Sequence, residues 1–99
     1  MSPEHAAAEM TLFGIVRDPR LMESMVGLPL LTRQKIDDEI TGLQFNPRPP
    51  QSTAMTMSGM CILRKPVLVD EQQRKYHLVY LVDDEGEKVF VIALERFSQ

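Results

Sequence analysis

The last third of the chain contains two apolar runs, residues 76–82 and 88–94, on either side of an acidic turn with one glycine. Runs rich in Val, Leu, Ile, Tyr and Phe around a short polar turn predict a β-hairpin. We expect Gly86 to take the positive φ that such a turn needs, and the four carboxylates around it to lie in solvent. A chain with this hairpin has to build its core on a β-sheet.

Both faces of the predicted hairpin are apolar. Alternation divides the first strand into Leu78, Tyr80 and Val82 on one face and His77, Val79 and Leu81 on the other. The return strand divides in the same way into Phe90, Ile92 and Leu94, and Val89, Val91 and Ala93. Helices in so short a chain cover only one face of the sheet. An uncovered apolar face is typical of an interaction surface, and we assign Val79, Leu81 and Val91 to it.

A segment of the chain itself, rather than a partner, is the alternative cover for that face. The loop around residues 48–60, the N-terminal tail or the first strand would also cover it. Self-association as a homodimer through the same face is a further alternative.

The first half of the chain predicts a strand and two helices. Residues 1–10 form an Ala-rich flexible tail, and residues 11–16 a short strand. Asp18 and Pro19 are typical of the N-cap and first position of a helix, which Gly27 ends. A second helix follows Pro29, with an apolar stripe at helical spacing and an end before Pro47; the stripe is Ile36, Ile40 and Leu43.

The region between helices and hairpin predicts a loop and further strands. Residues 48–52 form the loop, residues 55–69 hold strand segments, and residues 70–75 form a polar turn. Gly59 marks a bulge or a turn, and Pro66 restricts its strand to an edge or a break. The sequence therefore predicts one α+β domain over residues 11–99, with two N-terminal helices packed on a small antiparallel sheet.

Composition narrows the function classes. The 99 residues carry a net charge of −3, which argues against nucleic acid as the chief partner and leaves room for a local basic site. Cys61 is the one cysteine, which fits a reducing compartment. No apolar run is long enough to span a membrane and no secretory signal is visible, so we expect a cytoplasmic protein without membrane contact. No phosphate loop or metal-spaced ligand set appears, so we expect neither cofactor nor metal.

Three segments resemble the RelE/ParE-type toxins of type II toxin–antitoxin modules. Residues 36–47, with the Ser58-Gly59 turn and the strand after it, resemble the helix-to-sheet half of that family. Residues 76–84, Tyr-His-Leu-Val-Tyr-Leu-Val-Asp-Asp, resemble its Y-R-L/V-V-Y-x-V-D-D strand, and residues 90–94 its last strand. The resemblance covers residues 11–97 and implies two helices on a small antiparallel sheet.

The resemblance implies a toxin with an antitoxin as its partner. The RelE branch cleaves mRNA in the ribosomal A site without a metal, and the ParE branch acts on DNA gyrase. In the RelE chemistry an RNA 2′-hydroxyl attacks the neighbouring phosphate, cations stabilise the charge, and an acid and a base move protons.

Position by position, the resemblance assigns the catalytic residues to one histidine and three cations: His77, Arg64, Lys65 and Arg96. His77 stands where the family has an arginine, and there it acts as an acid or base or is a structural residue. Arg74 and Lys75 are the predicted RNA contacts. Phe97 stands where the family has a second cation. The apolar sheet face, the Met-rich stretch and the acidic charge favour a non-enzymatic protein binder on the same fold as the alternative. A regulatory domain without a toxin function is the third reading.

Overall fold

The computed structural model of the protein describes residues 12–68 and 75–97. The predicted tail of residues 1–10 and the predicted RNA contact Arg74 lie outside these ranges. So do Val69 and most of the predicted polar turn at residues 70–75. The chain order is β1 (Gly14–Arg17), α1 (Pro19–Val26), α2 (Leu30–Gly42), β2 (Thr53–Met57), β3 (Met60–Leu68), β4 (Lys75–Asp83) and β5 (Lys88–Phe97).

The two helices begin where the sequence predicts. Asp18 is the N-cap of α1, and its Oδ1 accepts the backbone N–H of Arg20 at 2.8 Å. Pro19 occupies the first turn, where its missing N–H costs nothing. Pro29 stands immediately before α2, which ends at Gly42. The last part of the predicted second helix, up to Asn46, is instead a turn whose first residue, Leu43, is fully buried.

The five strands form one sheet in the order β1-β5-β4-β3-β2. The pairs from β2 to β5 are antiparallel, as predicted. β1 departs from the prediction because it pairs parallel with β5 at one edge. A parallel pair needs a long connection, and between β1 and the rest of the sheet the chain passes through both helices. The sheet is therefore mixed, with a parallel strand at one edge of an antiparallel meander.

The β2–β3 hairpin explains two residues that the sequence singled out. Ser58 and Gly59, between the strands, have φ of 52° and 79°. Two successive left-handed residues make the tight turn that suits the twist of paired strands. Pro66 lies within β3, but β2 pairs with β3 only as far as Arg64. At Pro66 the strand therefore has a neighbour on one side, which confirms the edge position.

The core lies between the helices and one face of the sheet. Leu21 of α1 and Ile36 and Ile40 of α2 are fully buried against the sheet. The strand residues beneath them share one face of β3, β4 and β5; they are Leu63, Val67, Tyr76, Leu78, Tyr80, Val89 and Val91. Burying a side chain of the size of Leu or Ile stabilises the fold by about 1.5–3 kcal/mol.

A β-bulge in β5 changes which of its residues face the core. Tyr80 pairs with Val91 and Val79 pairs with Ala93, so Ile92 is an extra residue without a direct partner. Simple alternation put Val91 with Ala93, and on a partner-binding face with Val79 and Leu81. That placement is wrong: Val91 is fully buried in the core, because it precedes the bulge and lies opposite the core residue Tyr80. The bulge then turns Ala93 to the other face, opposite Val79.

The β4–β5 turn differs from the prediction at its glycine. Glu87, not Gly86, has the positive φ, at 53°. At Gly86 the feature is instead a close neighbour: a Cβ there would meet the carboxylate at the end of the Asp83 side chain. The Asp83 Oδ1 accepts the backbone N–H of Gly86 at 3.1 Å. The glycine thus allows the close approach of a side chain rather than a left-handed turn.

Candidate functional site

The face of the sheet turned away from α1 and α2 is called the far face here. Residues directly opposite one another in paired strands share a face. The register therefore places on the far face the side chains of Val16, Met55, Ile62, Arg64, Lys75, His77, Val79, Leu81, Phe90 and Glu95. Most of the segment around residues 48–60, an alternative cover for this face, is instead β2 and the β2–β3 turn, so it extends the sheet beside β3. Just before it, the hydroxyl of Tyr80, a core residue, donates to the Pro47 carbonyl at 2.8 Å.

Two of the four predicted catalytic residues come together on the far face. Arg64 pairs with Val79 and His77 pairs with Pro66, so the two side chains are diagonal neighbours on β3 and β4. Diagonal neighbours stand about 7–8 Å apart, within reach of long side chains. Arg64 and His77 are both half-buried.

Glu95 is a third member of this cluster, and the sequence did not single it out. It lies directly opposite His77. Its Oε1 is 3.2 Å from Nη2 of Arg64, so the ion pair crosses β4 from β3 to β5. The β4–β5 turn places Lys88 opposite Asp83, and counting back without a bulge would put Leu94 opposite His77. Only the extra residue at Ile92 brings Glu95 there, so no sequence signal identified it.

The other two predicted catalytic residues lie on the helix-covered face. Lys65 pairs with the core residue Leu78, and its ammonium forms an ion pair with Glu39 of α2. Burial lowers the pKa of Lys65. Arg96 pairs with Tyr76, another core residue, and is itself exposed. The sheet therefore separates Lys65 and Arg96 from Arg64 and His77, so the predicted four-residue site is divided.

The predicted RNA-contact and partner residues are distributed as follows. Lys75 is exposed on the far face, two residues before His77 on β4. Val79 and Leu81 are half-buried on the same face. Val16 and Met55 continue it toward the two edges of the sheet, with 41% and 38% of their surface exposed. The far face thus combines an apolar stretch with a charged cluster around Arg64, His77 and Glu95.

Within residues 12–68 and 75–97, no group of three or more His, Cys, Asp or Glu side chains is arranged to hold a metal ion. Neither α1 nor α2 is long and apolar enough to cross a membrane.

Comparison with known proteins finds likeness in structure alone. No family model matches the chain, and no curated protein is similar to it. The RelE–RelB complex of Pyrococcus horikoshii OT3 matches with a TM-score of 0.66 and 11% identity, over 86% of this chain and 94% of that one. The isolated RelE toxin of E. coli matches with a TM-score of 0.64 and 21% identity, over 88% and 86%. The intact E. coli RelBE complex gives 0.57 and 19%, over 88% and 99%.

These matches cover most of both chains, and they define the class as an α+β domain. The particular fold is the one seen in these RelE structures, two helices on one face of a five-stranded mixed sheet. The resemblance seen in the sequence is thereby confirmed for the fold.

Proposed function

We propose that this protein is a toxin of a type II toxin–antitoxin module that cleaves mRNA on the ribosome and is neutralised by an antitoxin. The observation that carries the proposal is the structural match to RelE toxins over most of the chain. One matching structure is a RelE–RelB complex, and another is the intact RelBE toxin–antitoxin complex. The structure of the isolated E. coli toxin matches as well.

The far face supplies the chemistry for this reaction. Arg64 offers a guanidinium, which suits a phosphate better than any other side chain because its planar donors match the phosphate oxygens. His77 offers an imidazole, the side chain that most readily exchanges a proton near neutral pH. Cleavage of RNA by its own 2′-hydroxyl needs these two functions and no metal.

The charge of the protein shapes how the substrate arrives. A net charge of −3 gives little long-range attraction to free RNA. We therefore expect docking on the ribosome to depend on the local cations of the far face, Arg64 and Lys75, and on contacts with ribosomal protein. The apolar stretch at Val79 and Leu81 supports such protein contacts and would also suit an antitoxin segment.

Induced expression in a bacterial host tests the proposal. We expect growth to stop, translation to fall, and cellular mRNAs to acquire new cleaved ends within coding regions. Co-expression of the antitoxin encoded beside the toxin should restore growth. The matched control is the Arg64→Ala, His77→Ala double variant, which should accumulate without arresting growth. Arrest by the wild type with intact mRNA would contradict cleavage and favour the non-enzymatic protein binder, such as a gyrase inhibitor.

A further inference from the structure

The charged cluster of the far face contains a carboxylate that the family resemblance does not assign. Glu95 stands directly opposite His77 on the neighbouring strand and is paired with Arg64. Directly opposite side chains have Cβ atoms about 4.5–5.5 Å apart. A carboxylate, an imidazole and a guanidinium thus meet on three adjacent strands.

Stability does not account for this carboxylate. The side chains of Arg64 and Glu95 are 37% and 44% exposed. Ion pairs with this much solvent contact add little to the stability of a fold, because water screens the charges and two long side chains lose freedom. Exposed side chains are also the ones that a bound RNA strand can reach.

We infer that Glu95 is the general base of the RNA cleavage proposed above, and the inference rests on that proposed function. The Glu95 carboxylate takes the proton of the 2′-hydroxyl, and the 2′-oxygen forms a bond to the adjacent phosphorus. The bond from phosphorus to the 5′-oxygen breaks, and His77, in its protonated form, gives a proton to that oxygen. The products are a 2′,3′-cyclic phosphate and a 5′-hydroxyl.

The ion pair in the free protein fits this role. A guanidinium that binds a carboxylate binds a phosphate with the same fork of donors. When RNA enters, the phosphate takes the place of Glu95 on Arg64. The carboxylate is then released beside His77, where it faces the ribose of the same nucleotide. Arg64 neutralises the charge that develops on the phosphorus oxygens.

Two substrates distinguish the role of Glu95 as the base from the role of His77 as the acid. Ribosome-bound mRNA is prepared with a normal linkage and with sulfur in place of the 5′-bridging oxygen, a leaving group that needs no proton. On the normal linkage we expect Glu95→Gln and His77→Gln each to lower kcat by at least about 100-fold. On the sulfur linkage His77→Gln should recover most of its rate, whereas Glu95→Gln should stay slow. Glu95→Asp, which keeps the carboxylate, should regain part of the rate on both substrates.

A matched carboxylate variant serves as the control. Glu85→Gln makes the same change at an exposed position of the β4–β5 turn and should cleave like the wild type. Glu95→Gln that is as fast as Glu85→Gln overturns the assignment and leaves RNA cleavage in place. Recovery of Glu95→Gln by the sulfur linkage overturns it as well, because Glu95 would then act on the leaving group. A wild type that cleaves neither substrate overturns the proposed function together with the base.

Discussion

At the scale of single residues, side chains at adjacent positions of a strand lie on opposite faces of this sheet. Arg64 and Lys65 are neighbours in the sequence, yet one points to the far face and the other toward α2. A strand turns successive side chains to opposite faces, so two neighbouring cations cannot both line one site on the sheet. The sequence resemblance named both residues, and alternation along a strand is the physical reason to separate them.

Substitution of each member of this pair tests the separation. Arg64→Ala should lower the rate of mRNA cleavage by at least about 100-fold, because the phosphate loses a charged partner. Lys65→Met should cleave at close to the wild-type rate, since Lys65 lies on the other face with Glu39. Both rates are measured on ribosome-bound mRNA. A large loss in Lys65→Met with normal folding would contradict the division of the site.

Valines on the two faces of the β4–β5 pair give a second residue-scale prediction. Val91→Ala should reduce the free energy of unfolding by about 2 kcal/mol, because it removes two buried methyl groups and leaves a cavity. Val79→Ala, the same change on the half-buried far face, should cost clearly less. Urea denaturation of both variants measures the difference. Equal losses would contradict the inward position of Val91 opposite Tyr80.

At the scale of elements, the order of helices and strands followed from the sequence, and the register did not. Capping residues, prolines and the apolar stripe predicted α1 and α2, and two apolar runs around a polar turn predicted the hairpin. These signals are local, because each acts on the backbone near it in the sequence. The bulge at Ile92 and the parallel pairing of β1 with β5 depend on tertiary packing, which local patterns do not encode. The position of Glu95 opposite His77 depends on that bulge, so one of the three residues of the candidate site could not be predicted from the sequence.

The loop before β2 is joined to the β4–β5 turn by charge. The guanidinium of Arg48 donates to both carboxylate oxygens of Asp84, at 2.9 and 2.8 Å. These hydrogen bonds lower the pKa of Asp84 below its usual value. The folded pKa is therefore below the unfolded one, so the stabilisation is present above the unfolded pKa and is lost as the pH falls through the folded pKa.

The ion pair between Arg48 and Asp84 predicts that a variant without the Asp84 carboxylate loses less stability in acid than the wild type does. Asp84→Asn should flatten the fall in stability as the pH drops from about 5 toward 3, the range in which an unperturbed aspartate takes up its proton. Midpoints of urea denaturation across that range measure the slope. Glu85→Gln, in the same turn, has no described ion pair and should keep the slope of the wild type. A wild-type slope in Asp84→Asn would show that the pair does not contribute.

At the scale of the whole molecule, the fold places one face of the sheet under the helices and leaves the far face without helix cover. The helix-covered face supplies nearly all of the core, with Leu21, Ile36 and Ile40 against the strands. The far face holds Arg64, His77 and Glu95 on the three central strands, and His77 has a paired residue on each side. Sites on such strands position reacting groups more closely than loops do.

Cleavage of mRNA by the purified protein in a reconstituted translation system tests the central claim most directly. Primer extension on a message paused at a defined codon shows whether a cut appears in the ribosomal A site. We predict a cut by the wild type that needs the ribosome and persists after EDTA treatment of the protein, with a 2′,3′-cyclic phosphate at the new end. An intact message under these conditions, with protein that is folded and binds the ribosome, would contradict the claim.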